Sequence, residues 1–91
     1  MVRLLVRHPV QDFAAWKAGY LSPDMKGIRD RLGVRHDAFY TTVEDVNDVL
    51  VIHDFDSADA AQAFLADGEL QAALGTLGVA GEPKIQLFDH P

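Results

Sequence analysis

Apolar and polar positions alternate in three stretches of the chain, a fourth short stretch is apolar on both faces, and apolar residues recur every three to four positions in the stretches between. Residues 2–8 alternate: Val2, Leu4, Val6 and His8 point one way, and Arg3, Leu5 and Arg7 the other. This predicts a first strand ended by Pro9. Asp12 is a candidate helix cap, and Phe13, Trp16 and Tyr20 then share one helical face. Ser22-Pro23 interrupts that helix and suits the start of another, because proline is tolerated only in a first turn. Two segments, 12–21 and 23–32, follow, with Met25, Ile28 and Leu32 continuing the stripe and Gly33 as the stop. A second strand is expected over 34–42, with His36, Ala38 and Tyr40 on one face and Asp37, Phe39 and Thr41 on the other. The polar run 44–48 is a turn, and 49–55 is a strand apolar on both faces except at His53 and Asp54. Helices over 58–66 and 69–77 come next, capped at Asp56 or Ser57 and broken at Asp67-Gly68. A last strand covers 84–89.

The order is β-α-β-β-α-β. It predicts one α+β domain over residues 1–91 of the ferredoxin-like class: a four-stranded antiparallel sheet with the first and third strands central and the helices on one face. The other face is then bare. Leu5, Phe39, alternate residues of the third strand and Phe88 are expected there, among Arg3 and Arg7. A chain of 91 residues has a modest core, and an apolar sheet face of that size calls for a cover. The simplest cover is the same face of a second copy, a twofold homodimer.

Charge and composition narrow the partners. Fourteen acids against eight bases give a net charge of −6, which argues against nucleic acid and anionic membranes. No stretch approaches the roughly 20 apolar residues of a membrane span, and the N-terminal apolar run is too short for a signal peptide. The expected compartment is the cytoplasm. Without cysteine there is no disulfide, thiolate metal site or cysteine nucleophile. The histidines have no local ligand spacing, so no metal is expected. Gly75, Gly78 and Gly81 follow a helix rather than a strand, so no phosphate loop and no nucleotide cofactor is expected either.

The run His8-Pro9-Val10-Gln11-Asp12-Phe13-Ala14-Ala15-Trp16-Lys17 resembles the His-x-Val-x-Asp-aromatic-x-x-Trp-Lys opening of a bacterial family. That family belongs to the dimeric α+β barrel superfamily, which includes the antibiotic-biosynthesis monooxygenase-like domains. Asn47–Ile52 before Asp54 and Phe55, and Glu69–Leu74 before Gly78-Val79, are similar to it too; Leu21 departs from it, standing where an acid often follows the aromatic. The resemblance implies a dimeric barrel and a small-molecule enzyme or binder. A cofactor-free monooxygenase or cyclase acting on an aromatic or polycyclic metabolite is the leading form. A non-catalytic ligand-binding or structural barrel is the alternative.

Several residues could carry such chemistry. His8, His36 and His53 are candidate bases, since histidine exchanges protons near neutrality. Trp16 and Tyr20 are candidate walls for an aromatic ligand, or simply core. His36 and Tyr40 flank Ala38, which leaves room for a ligand or makes a solvated edge. His53 and Asp54 are adjacent in one strand and must face opposite ways, so the inward one is a candidate site residue. An interior cavity of roughly 300 Å³ or more with convergent polar groups would favour the enzyme or the binder, and a packed interior the structural alternative.

Overall fold

A computed structural model describes residues 1–91. Its elements are β1 (Val2–Pro9), α1 (Phe13–Tyr20), α2 (Pro23–Arg31), β2 (His36–Thr41), β3 (Asp48–Phe55), α3 (Ala58–Ala66), α4 (Gly68–Thr76) and β4 (Lys84–Asp89). Each helix starts where a short polar side chain can take an orphan amide. Asp12 accepts from Ala15 N at 3.1 Å, Ser22 from Met25 N at 3.3 Å, Ser57 from Ala60 N at 3.1 Å and Asp67 from Leu70 N at 2.9 Å. Pro23 sits in the first turn of α2, where its missing N–H costs nothing. Asp56 is not a cap; its carboxylate pairs with Arg35 instead.

β2 starts two residues later than the alternation predicts. Gly33, at φ 84°, ends α2 with a left-handed turn, and the Val34 amide is drawn back to the Arg29 carbonyl at 3.1 Å. Val34 therefore closes a helix rather than opening a strand.

The sheet runs β2-β3-β1-β4 and is antiparallel throughout. Leu4 pairs with His53, and Val2 with Phe55, so His8, Val49, Val51 and His53 all face the helices. Arg3, opposite Asp54, faces away with Leu5, Leu50 and Ile52. Phe39 corrects the sequence expectation. It pairs with Val51 and so lies on the helix side, packed on Trp16 and Tyr20. Alternation along one strand does not say which face is which; pairing register does.

Two apolar clusters fill the helix side. One joins Leu4, Met25, Ile28, Phe55 and Phe64; the other joins Val10, Trp16, Tyr20, Val49 and Val51. The helices cover β1 and β3 but leave β4 largely uncovered: Ile85 and Leu87 point to the helix side and are still 47% and 38% exposed. The opposite face has Leu5, Leu50 and Ile52 half-buried at its centre, with Tyr40 and Phe88 exposed at its two edges. Two bidentate pairs cross it, Arg3 with Asp54 (2.8 and 3.0 Å) and Arg7 with Asp48 (3.0 and 2.6 Å). No helix is long and apolar enough to cross a membrane.

Candidate functional site

A cavity of about 150 Å³ lies between the helix side of the sheet and the helices, smaller than the sequence reading expected of a ligand site. Val6 and His8 of β1 and Val51 and His53 of β3 form its floor. Trp16 and Tyr20 of α1 and Leu70 and Leu74 of α4 form its walls, and Ile85 of β4 borders it on the uncovered side. Twelve of its sixteen lining residues are hydrophobic; none is Asp, Glu, Lys or Arg.

Trp16 and Tyr20 are stacked, their rings 4.9 Å apart at 21°, while Tyr20 and His53, 6.2 Å apart at 9°, lie nearly coplanar and end to end, joined by a hydrogen bond at their edges. Helical spacing of four brings the first pair together; the β3 register delivers the histidine. Arg29 holds this stack from behind. It is buried, places its guanidinium 4.1 Å from the Tyr20 ring centre, and donates from Nη1 to the Tyr20 carbonyl at 2.7 Å.

Hydrogen bonds fix the state of His53. The Tyr20 hydroxyl lies 3.1 Å from Asp37 Oδ2 and 2.8 Å from His53 Nε2. It has one proton, and the carboxylate can only accept. Tyr20 therefore donates to Asp37, and His53 donates from Nε2–H to the Tyr20 oxygen. That leaves Nδ1 with a free lone pair. Nδ1 is fully buried and has no partner; Trp16 Nε1–H is in the same condition. Buried polar atoms are nearly always paired, so two orphans on residues that border one cavity stand out. Burial drives the His53 pKa down to about 4, with Arg29 pushing the same way. The imidazole is thus neutral at physiological pH. Burial raises the Tyr20 phenol above its ordinary value, which keeps it a hydrogen-bond donor.

His8 stands on the same strand face, roughly 13 Å along the sheet from His53. Its Nδ1 lies 3.3 Å from the Pro9 carbonyl, which assigns the proton to Nδ1 and leaves Nε2 unprotonated. Burial lowers its pKa as well. His8 meets Trp16 edge-on at 6.0 Å.

The cavity gathers four of the residues singled out from the sequence: His8, Trp16, Tyr20 and His53. The other three stand elsewhere. His36, Tyr40 and Asp54 share the open face, where His36 and Tyr40 are exposed and Asp54 is buried under the Arg3 guanidinium, which lowers its pKa. Between His53 and Asp54, the histidine is the one turned to the helices. Arg29, Asp37 and Phe39 support the site and were not legible as such. Arg29 falls four residues after Met25 on the apolar stripe of α2, and Asp37 alternates with Phe39; those spacings are the available signals.

No protein-family model matches the chain, and no curated protein matches it. Solved structures do match in fold. SnoaB, a cofactor-independent oxygenase from Streptomyces nogalater, superposes with a TM-score of 0.79 at 16% identity, over 99% of this chain and 92% of that one. The monooxygenase of the gene ActVA-Orf6 of Streptomyces coelicolor, solved with nanaomycin D, gives 0.74 at 21% identity over 99% and 87%. An antibiotic biosynthesis monooxygenase gives 0.69 at 9% identity over 100% and 99%. The chain has the fold of the antibiotic biosynthesis monooxygenase structures.

Proposed function

We propose that the protein is a cofactor-independent monooxygenase that acts on an aromatic small molecule in the cavity between sheet and helices. The observation that supports this most is the buried, unpartnered Nδ1 of His53 in an apolar wall beside Trp16. A hydroxyl on the substrate donates to that lone pair, and its proton moves onto Nδ1 as electron density shifts into the ring. The activated ring carbon reacts with dioxygen. One oxygen atom stays on that carbon as a carbonyl. The other leaves as water, which takes the hydroxyl proton and the hydrogen the carbon carried. The ring is oxidised to the quinone and dioxygen is reduced, so atoms and electrons balance. The low basicity of His53 makes that transfer uphill, so the proton is shared in the transition state rather than held. Trp16 and Tyr20 hold the ring, and His8 serves the far end of the cavity.

The likeness to two oxygenase structures supports this reading, as does the resemblance of the His8–Lys17 opening. A second reading, binding without turnover, draws on the same low basicity of His53. We also propose that a second copy covers the open sheet face, with Leu5, Leu50 and Ile52 at the centre of the contact.

The test is oxygen uptake with hydroxyarenes, for the wild type and His53→Phe. Uptake by the wild type that His53→Phe lowers by about 10²-fold or more supports the base assignment. Binding without uptake supports the second reading.

A further inference from the structure

We infer that the cavity selects an uncharged, single-ring hydroxyarene that also carries a carbonyl-type acceptor, its hydroxyl donating to His53 Nδ1 and its acceptor receiving the Trp16 indole N–H. This deepens the oxygenase reading and rests on it for the identity of the site. Three observations carry it.

The first is volume. An apolar cavity of about 150 Å³ is the size that takes one benzene ring, whereas pockets for larger ligands start at roughly 300 Å³. Substituents can extend toward Ile85 and Pro83, exposed lining residues where β4 is uncovered.

The second is charge. With no ionic side chain in the wall, a carboxylate or ammonium inside would be buried without a partner, at heavy cost. The basic groups near the site are already engaged: Arg29 holds the Tyr20 carbonyl and stacks on its ring.

The third is the pair of orphan atoms, whose polarities are opposite. Trp16 Nε1 can only donate. The Tyr20–Asp37 bond fixes His53 Nδ1 as an acceptor. The remaining amide in the wall, Gln71, is exposed and donates one Nε2 hydrogen to the Leu65 carbonyl at 2.6 Å, so it presents no buried orphan. A ligand that satisfies both orphans therefore presents one donor and one acceptor. A hydrocarbon leaves both unpaired, and a phenol without an acceptor leaves the indole unpaired.

Calorimetric titration of the full chain with a matched set tests this, at a pH where each phenol is uncharged. The set is 4-hydroxyacetophenone and its 3-isomer, acetophenone (no donor), 4-ethylphenol (no acceptor) and 1-hydroxyanthraquinone (three rings). At least one hydroxyacetophenone should bind about tenfold or more tightly than acetophenone and 4-ethylphenol, the value of one well-placed hydrogen bond. His53→Phe should erase the advantage over acetophenone, and Trp16→Phe the advantage over 4-ethylphenol, with circular dichroism confirming that each variant folds. Equal affinities across the single-ring compounds would overturn the inference, as would no binding by any of them, which means the cavity holds water alone. The wild-type series decides this even if a variant does not fold. Tight binding and oxidation of the three-ring compound would overturn the single-ring assignment while leaving the oxygenase reading standing. Selective binding of a hydroxyacetophenone with no oxygen uptake would do the reverse.

Discussion

The Tyr20 hydroxyl and His53 Nε2 lie 2.8 Å apart, and this bond decides which nitrogen of the imidazole is basic. Asp37 takes the Tyr20 proton, so Tyr20 must accept from His53, and Nδ1 is left free. Tyr20→Phe removes the link. The buried Nε2–H then has no partner, which costs roughly 1–3 kcal/mol. The tautomer is also released. Nitrogen-15 spectra should show His53 protonated at Nε2 in the wild type and a mixture of tautomers in Tyr20→Phe. A wild type protonated at Nδ1 would contradict the assignment.

Stability should depend on pH through His53. In the unfolded chain its pKa is near 6.5, and in the fold burial drives it down to about 4. Below pH 6.5 the unfolded state takes up a proton that the folded state refuses. Stability is thus fully present above about pH 6.5 and falls as pH drops toward 4, by about 3 kcal/mol at about 1.4 kcal/mol per pH unit. His8 adds to the loss in the same direction. The acids lowered chiefly by arginine partners, Asp48, Asp54 and Asp56, give up their contribution as pH falls through the ordinary carboxylate range and below it. Urea unfolding at a series of pH values checks this. His53→Phe should flatten much of the slope above pH 4 and leave the acid limb in place.

What the sequence made legible follows from what local pattern can encode. Alternation located β1, a short run apolar on both faces located β3, and Asp12, Ser22 and Ser57 marked helix starts, because a cap acts within three residues of itself. The pairing of Trp16 with Tyr20 was legible for the same reason. Facing was not. Whether His53 or Asp54 points inward, and where Phe39 goes, depends on how strands more than ten residues apart align. Arg29 was invisible for a different reason. Arginine is rarely buried, and only the fold reveals that Asp37, 3.6 Å from Arg29 Nε, and the Tyr20 ring meet its charge while the Tyr20 carbonyl takes its N–H.

Trp16 should be the most costly position in the cavity wall to truncate. Its indole is 1% exposed, stacked on Tyr20, and met edge-on by Phe39 at 5.3 Å and 81°. Trp16→Ala removes a partner from both and enlarges a cavity that already exists. The expected loss is about 3–5 kcal/mol, comparable with the whole stability of a small domain. Denaturation followed by far-ultraviolet circular dichroism should find the variant partly unfolded without denaturant. Trp16→Phe, which keeps most of the stack, should lose far less.

Ile52 tests the cover of the open face. It pairs with Leu5 on one side and Ala38 on the other, so it sits at the middle of the only apolar strip on that face, between two Arg–Asp pairs. A twofold contact centred there brings each copy's Ile52 close to its mate, and Ile52→Asp would bury two carboxylates against one another while the flanking Arg3 and Arg7 are already paired with Asp54 and Asp48. The folded protomer gains only a half-exposed carboxylate. Dimerisation should therefore fail while the fold survives. Sedimentation should give twice the chain mass for the wild type and the single-chain mass for Ile52→Asp, with unchanged far-ultraviolet spectra. A wild type that sediments as one chain at the highest concentrations reached would rule out the second copy as the cover.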